Sequence, residues 1–163
     1  MFGEDDRAAT VEAGRKAIFT IGHSIRKLDE LINVLRHYGI ERLADIRHFP
    51  ASRHNPQFNQ AALEAELLAA GIEYHWIEQL GGYRSGGYLA HMETADFRAG
   101  LGELERLAAE QRTAYMCAEL VWFKCHRRRV SDALADRGWR VIHIFDEKRK
   151  QEHLLKTNRI KCD

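Results

Sequence analysis

Reactive side chains are concentrated in residues 115–129, which read YMCAELVWFKCHRRR. The segment carries two thiols, a carboxylate, an imidazole and three consecutive guanidinium groups. These groups belong to Cys117, Glu119, Cys125, His126, Arg127, Arg128 and Arg129. The segment opens with an apolar run and leads into a helical pattern, so it is predicted to join a strand to a helix. Because ligands of open α/β sheets bind at the carboxyl ends of strands, it is a candidate functional site.

Cys125 is predicted to lie near the N-terminus of that helix, where the helix dipole and nearby arginines lower a thiol pKa. This is the setting of a nucleophilic or redox-sensitive cysteine. The phosphatase pattern is excluded because the sixth residue after Cys125 is Ser131 rather than arginine. Zinc binding by Cys117, Cys125, His126 and Glu119 is conceivable, but their spacing matches no common zinc pattern, so no metal is expected. We interpret Cys117 as a small buried residue at a strand end.

Glu119 follows the predicted strand end by two residues and is expected to face a cleft among cationic groups. A carboxylate in that position can act as a general base or as a nucleophile toward a sugar or a nucleotide-like substrate. The alternative is a structural salt bridge between Glu119 and Arg127.

Small polar residues follow the first predicted strand, in the sequence TIGHS at residues 20–24. A glycine and small residues before a helix can expose backbone N–H groups to an anion. His23 and Ser24 are therefore candidates for substrate binding or proton exchange, with a structural turn histidine as an equal alternative. The chain contains neither GxGxxG nor GxxxxGK[ST], so no nucleotide cofactor is predicted.

Two further loops carry arginine. Strand alternation places Asp45 and Arg47 on the same side, and Arg47 and Arg53 suit bidentate binding of phosphate or carboxylate. Asp45 can instead form a structural ion pair with one of these arginines, and both roles are compatible. The glycine-rich loop at residues 80–88 supplies Arg84 and Tyr88, either as a mobile lid or as an ordinary surface loop.

Strand and helix patterns alternate along the chain and predict a parallel sheet covered on both faces. The predicted strands are residues 17–22, 42–47, 73–77, 113–117 and 140–145. We therefore expect one three-layer α/β/α sandwich over residues 17–163, Rossmann-like or flavodoxin-like, with about five mainly parallel strands. The predicted strand order is 3-2-1-4-5, with a ligand crevice between strands 1 and 4. Residues 1–16 are predicted to be a poorly ordered polar leader, and the C-terminus a basic helical tail.

The composition is typical of a globular protein without a membrane span. The 163 residues are 45% hydrophobic and 30% charged, and no apolar run approaches the length that spans a membrane. Three cysteines without framework spacing favour a reducing compartment, so a cytoplasmic location is expected. The net charge of +1 argues against a general nucleic-acid coat protein, although clustered basic residues can mark a local anion site.

Several motifs together resemble one family. They are TIGHS at 20–24, DIR at 45–47 with Pro50, Ser52, Arg53 and Phe58, LGG at 80–82, and CAE at 117–119 with CHR at 125–127. In this order and spacing, over about residues 18–144, they resemble the bacterial and archaeal domain-of-unknown-function family 488, and Trp122 resembles one subgroup. The resemblance implies an α/β domain with the motifs at one sheet edge and no assigned activity. Lys27 departs from a frequent capping Ser or Thr, and the shorter loop between Arg84 and Tyr88 weakens a lid role.

The leading hypothesis is an enzyme, a hydrolase or group transferase, that acts on a small anionic or nucleotide-like ligand or on nucleic acid. Glu119 would be the acid/base or nucleophile, with Cys125 as the alternative nucleophile. Asp45, a third catalytic candidate, would position substrate or relay protons together with His23 and Ser24. The remaining candidates would bind substrate: Arg47, Arg53, Arg84, His126 and Arg127. The alternatives are a non-catalytic ligand- or nucleic-acid-binding regulatory module, and a thiol-based redox or metal sensor. No cofactor and no membrane partner are expected.

Overall fold

Strands and helices alternate along residues 16–155, the part of the chain that this computed structural model describes. The strands are β1 (Ala17–Gly22), β2 (Arg42–Asp45), β3 (Glu73–Trp76), β4 (Thr113–Cys117), β5 (Arg140–Ile144) and β6 (Lys150–Glu152). The helices are α1 (Leu28–His37), α2 (Gln60–Ala69), α3 (Tyr88–His91), α4 (Ala95–Glu110) and α5 (Arg127–Asp136). The α/β class and the mainly parallel sheet are confirmed.

The sheet order is β3-β2-β4-β1-β5-β6, so the predicted order 3-2-1-4-5 is wrong. Strand β4 lies between β2 and β1 and pairs with both in parallel. The error has a physical reason. Every residue of β2 and β4, and all of β1 after Ala17, is buried, and such strands show the same continuous apolar pattern at any interior position.

The helices are divided between the two faces of the sheet. Helices α1 and α2 pack on the face that carries Phe19 and Met116, whereas α4 and α5 pack on the face that carries Ile18 and Tyr115. Chain segments leaving the neighbouring strands β1 and β4 therefore turn to opposite faces, which opens a crevice at their carboxyl ends. The predicted crevice between strands 1 and 4 is present although the strand order differs.

The local helix signals work as the sequence suggests. The Thr94 side chain accepts a hydrogen bond from the Phe97 N–H and caps α4. Lys27 precedes α1, at the position where the family often has a capping Ser or Thr. There the Glu30 carboxylate accepts a hydrogen bond from the Lys27 N–H at 2.7 Å, which caps the helix from within its first turn.

The C-terminal region differs from the predicted helical tail. Residues 150–152 form β6, which pairs antiparallel with β5 through a tight turn at Asp146, whose carboxylate accepts hydrogen bonds from the Lys148 and Arg149 N–H groups. The predicted leader up to residue 15 and the tail from residue 156 lie outside the described residues. Within residues 16–155, no helix has the length and apolar character to cross a membrane.

Candidate functional site

Four loops converge at the carboxyl ends of the central strands and enclose a cleft of about 700 Å³. The loops follow β1, β2, β3 and β4. Their principal side chains in the cleft wall are His23, Arg47, His48, Phe49, Tyr83, Tyr88, Glu119, Phe123, Lys124, Cys125, His126, Arg128 and Arg129. The loops that the sequence analysis selected thus share one cavity.

Two glycines let these loops cross at contact distance. A Cβ atom on Gly22 would lie 1.9 Å from the Glu119 carbonyl oxygen, and one on Gly81 would lie 2.5 Å from the His48 Cα. Both clashes are with backbone or with Cα, so no side chain can replace either glycine without moving a loop. Beyond the strand ends, the His23 N–H donates to the Cys117 carbonyl at 2.9 Å, which fixes the loop after β1 against β4.

Two thiols meet at the floor of the cleft. The Sγ atoms of Cys117 and Cys125 are 3.0 Å apart, and both cysteines are free. Cys117 is 2% exposed, and burial raises its pKa. The hydrogen bond from Cys117 lowers the pKa of Cys125, and the charge and N–H of Arg127 lower it further, against the opposing effect of burial. The Arg127 N–H donates to Cys125 Sγ at 3.3 Å at the start of α5.

Arg127 lies behind the cleft wall and is 1% exposed. Its guanidinium donates to Cys117 Sγ at 3.2 Å, to Thr20 Oγ1 at 3.0 Å, and to the carbonyl oxygens of Glu119 and Leu120 at 2.7 and 3.1 Å. Among residues 16–155 it forms no ion pair with a carboxylate, so the alternative of a salt bridge to Glu119 is wrong. Arg127 contacts the backbone of that residue and both thiols instead.

A buried chain of hydrogen bonds continues from Arg127 to a distant carboxylate. Thr20 Oγ1 bonds His143 Nδ1 at 2.8 Å, His143 Nε2 bonds His153 Nδ1 at 2.9 Å, and His153 Nε2 bonds Asp132 Oδ1 at 2.7 Å. At its two ends the direction is fixed, because Arg127 can only donate to Thr20 Oγ1 and an ionised Asp132 can only accept from His153 Nε2. Burial, together with the neighbouring His153 and Arg127 side chains, lowers the pKa of His143 to about 2, which keeps this ring neutral.

Trp122 covers this chain of hydrogen bonds from the solvent side. Its ring stacks on His143 with centroids 4.2 Å apart and an interplanar angle of 3°. Its indole N–H donates to the Gln151 side chain of β6 at 3.1 Å. Trp122 therefore joins the thiol segment to the hairpin formed by β5 and β6.

A second buried polar cluster centres on Arg47. Its guanidinium forms a bidentate pair with Asp45, at 2.9 and 2.7 Å, and Tyr74 donates to the same carboxylate at 2.5 Å. Asp45 is fully buried and does not reach the cleft, whereas Arg47 does. The predicted ion pair thus orients a guanidinium that also faces the cleft, with its Nη1 3.5 Å from His23 Nε2.

Two histidines of the cleft are held in the neutral form. His23 Nδ1 donates to the Ser24 carbonyl at 2.8 Å, and burial, opposed by that bond and aided by Arg47, lowers the pKa of His23 to about 4. His126 Nε2 donates to the Ile46 carbonyl at 2.7 Å, and burial lowers the His126 pKa as well. Each ring therefore keeps one nitrogen lone pair that can accept a proton or a hydrogen bond.

The rim of the cleft combines cations with exposed aromatic rings. Lys124, Arg128 and Arg129 line it, and within residues 16–155 their side chains make no hydrogen bond or ion pair. Phe49, Tyr83 and Phe123 are 65%, 90% and 53% exposed around the same opening. The basic run at 127–129 was recognised in the sequence, and Arg127 was selected as the candidate that binds an anion. In the structure Arg127 is buried, and Arg128 and Arg129 line the rim. Helix periodicity was the available signal, since Arg127 falls on the buried face of α5 with Val130.

Glu119 and the other candidates occupy more peripheral positions. Glu119 is exposed at the rim, and its carboxylate accepts a hydrogen bond from the Val121 N–H at 3.3 Å. Arg84 does not line the cleft but is ion-paired to Glu78 at 3.1 Å, which ties down the glycine-rich loop. Arg53 is exposed and lines a neighbouring depression that shares Phe49, Ala51 and Ser52 with the cleft. Ser24 forms the turn after β1 with a φ of 51°.

The side chains of Cys117, Glu119, Cys125 and His126, considered above as zinc ligands, do not point at a common centre. No three His, Cys, Asp or Glu side chains among residues 16–155 converge in a way that would hold a metal ion. The reason is visible in the orientations, since His126 Nε2 is turned to Ile46 and the Glu119 carboxylate to its own loop.

Comparison with known proteins identifies the family. The family model described as "Domain of unknown function DUF488" matches residues 27–134, about two thirds of the chain, and the chain therefore belongs to this family. The matched residues include the loops after β2, β3 and β4 that form most of the cleft wall. Neither a search of curated proteins nor a search of solved structures gave a match.

Proposed function

We propose that this DUF488 protein is an enzyme, a hydrolase or group transferase, in which Cys125 attacks an anionic nucleotide-like ligand bound in the cleft. The observation that carries the proposal is the position of Cys125. Its sulfur faces a cavity lined by cations and is at the same time held by hydrogen-bond donors at a helix N-terminus.

The surroundings of Cys125 favour a thiolate. The Arg127 N–H and the Cys117 thiol both point at its sulfur, and the α5 dipole adds partial positive charge there. The buried Arg127 guanidinium has no carboxylate partner among the described residues, so a neighbouring thiolate is the anion that best compensates its charge. A thiolate is the reactive form of cysteine and is a strong nucleophile at neutral pH.

Glu119 suits acid/base work better than nucleophilic attack. Its carboxylate is exposed at the rim rather than held at the floor, and its hydrogen bond to the Val121 N–H leaves lone pairs free. A solvated carboxylate has little drive to attack, but it can exchange protons with a leaving group or with water at the cleft mouth. Neutral His23 can also accept a proton through Nε2.

The rim supports an anion that carries an aromatic ring. Lys124, Arg128 and Arg129 place three cations around the opening, with the buried Arg47 deeper in the cleft wall, and guanidinium groups bind phosphate oxygens in pairs. The exposed rings of Phe49, Tyr83 and Phe123 offer flat surfaces, and base stacking on such rings contributes about 1–3 kcal/mol per base. Cations and rings around one cleft match a nucleotide or a nucleic-acid end.

The chemical step is a two-stage transfer. The Cys125 thiolate forms a bond to the electrophilic atom of the ligand, the bond to the leaving group breaks, and the leaving group departs with that electron pair and takes a proton. Water or an acceptor then attacks the same atom, gives up a proton to Glu119 or His23, and releases the thiolate. No external oxidant or reductant is consumed.

The test combines ligand binding with turnover. Thermal-shift screening of the full chain against nucleotides, sugar phosphates and short oligonucleotides identifies a ligand, and product formation is then followed for wild type, Cys125→Ser and Cys162→Ser. We expect Cys125→Ser to bind the ligand but to lose at least 100-fold in turnover, and Cys162→Ser to retain it. Full turnover by Cys125→Ser would contradict the mechanism. If the wild type and both variants all bind the ligand and none of them turns it over, a regulatory binding module is favoured.

A further inference from the structure

We infer that Cys117 and Cys125 are the site of a reversible oxidation, in which a hydroperoxide converts the two thiols into an intramolecular disulfide. The inference rests on the sulfur–sulfur contact and on the position of Arg127. It requires no catalysis by the cleft and therefore stands apart from the proposed function.

The two sulfurs are already in contact. Their 3.0 Å separation must shorten by about 1 Å to reach the length of a disulfide bond. Cys117 sits at the end of β4, and Cys125 follows a 3₁₀ turn at Trp122–Lys124. The loop between them carries the exposed residues Ala118, Glu119 and Leu120.

Accessibility sets the order of the steps. Both cysteines line the cleft, but Cys125 is partly exposed and Cys117 is only 2% exposed, so a small peroxide meets Cys125 first. The Cys125 thiolate attacks one peroxide oxygen, the O–O bond breaks, and water or an alcohol leaves with a sulfenic acid remaining on Cys125. Cys117 then attacks the Cys125 sulfur, its proton and the hydroxyl leave as water, and the S–S bond forms.

Arg127 makes such a disulfide easy to reduce. In the reduced protein its guanidinium donates to Cys117 Sγ and lies beside Cys125, where a thiolate compensates its charge. A disulfide is neutral and leaves this buried cation with neutral acceptors only, at Thr20 and two carbonyl oxygens. Because an uncompensated buried charge is unfavourable, the reduced pair is stabilised relative to the disulfide. That is the property of a switch rather than of a structural cross-link.

The oxidation has a consequence for the cleft. A bond from Cys125 to Cys117 removes the free thiolate from the cavity wall. If Cys125 is the nucleophile proposed above, oxidation stops turnover while the cationic rim stays in place.

The experiment is mass spectrometry of the full-length protein after hydrogen peroxide treatment, with free thiols alkylated in denaturant and the peptides mapped without reductant. We expect the loss of two hydrogens, one Cys117–Cys125 cross-link, and recovery of both thiols on incubation with reduced glutathione. In Cys117→Ser and Cys117→Ala, we expect a Cys125 sulfenic acid that dimedone traps, with no cross-link within the chain. Cys162→Ser should behave as wild type.

Three results would count against the inference. Three free thiols after peroxide treatment, or a cross-link that requires Cys162, would overturn the inference. A Cys117–Cys125 bond that persists in glutathione would overturn its reversible character. These readouts are masses and do not depend on turnover, so a failed search for a substrate leaves the test intact.

Discussion

Two buried arginines stand behind the same cleft and are compensated in different ways. Arg47 is paired through two hydrogen bonds to the fully buried carboxylate of Asp45. Arg127 donates to a thiol, a hydroxyl and two carbonyl oxygens, and it reaches a carboxylate only through Thr20 and two histidines. The first arrangement fixes a guanidinium that faces the cleft. The second leaves a positive charge that the neighbouring thiols can balance by ionising.

The comparison separates two uses of the same side chain. A paired arginine such as Arg47 gains its orientation from Asp45, which also balances its charge, although Arg47 still adds to the lowering of the His23 pKa. An arginine with only neutral partners imposes its charge on whatever group nearby can ionise, and for Arg127 that group is the cysteine pair. Breaking each arrangement should therefore give different results.

The largest expected effect is acid destabilisation, to which each cluster contributes one neutral histidine. Burial lowers the pKa of His23 to about 4 and that of His143 to about 2, against 6.5 when unfolded. The unfolded chain then binds more protons below pH 6.5, so stability is complete above 6.5 and falls as the pH decreases. With two such histidines, the free energy of unfolding should fall by up to roughly 2.7 kcal/mol for each pH unit between pH 6 and 4.

Denaturant unfolding at a series of pH values measures this slope. His23→Gln and His143→Gln should each remove about half of it, and only the His143 contribution should continue below pH 4. A slope that neither substitution changes would show that these histidines are not held neutral in the fold.

Replacing Arg47 by methionine should produce the next largest effect. The substitution leaves the fully buried Asp45 carboxylate with Tyr74 and a backbone N–H as its remaining partners. Losing one partner of a buried ion pair costs about 3–5 kcal/mol of unfolding free energy. The matched control is Arg106→Met, because Arg106 forms exposed ion pairs on α4 whose loss should cost less than about 1 kcal/mol. Equal losses for the two variants would contradict the buried-pair interpretation.

Replacing Arg127 by methionine should cost less stability but change the chemistry of the thiols. No carboxylate is left uncompensated, and water can reach the carbonyl groups of the exposed residues Glu119 and Leu120, so the main cost is the buried Thr20 hydroxyl that loses its donor, about 1–3 kcal/mol. The Cys125 pKa should rise, so its alkylation rate at pH 7 should fall, by about tenfold for each unit that the pKa comes to lie above 7. Arg128→Met, one residue along, should change stability by less than about 0.5 kcal/mol. An unchanged alkylation rate in Arg127→Met would separate Arg127 from the thiols.

The two clusters also show how far the sequence could be interpreted. Asp45 ends β2 and Arg47 lies two residues beyond it, so the pair is local in sequence and could be predicted, although the strand is shorter than the predicted 42–47. Thr20 and His143 face each other only because β1 pairs with β5 in that register, and residues 123 positions apart carry no local signal of contact. Strands 1 and 4 were located from their apolar runs, but the insertion of β4 between β2 and β1 depends on tertiary packing that such runs do not encode.

The measurement that addresses the thiolate most directly is the pH dependence of alkylation, followed separately for the Cys117 and Cys125 peptides in the wild-type protein. We expect Cys125 to react with an apparent pKa well below the ordinary value of about 8.5, and Cys117 to react much more slowly across the same range. A Cys125 pKa near 8.5, or equal reactivity of the two thiols, would contradict a cleft built around a Cys125 thiolate.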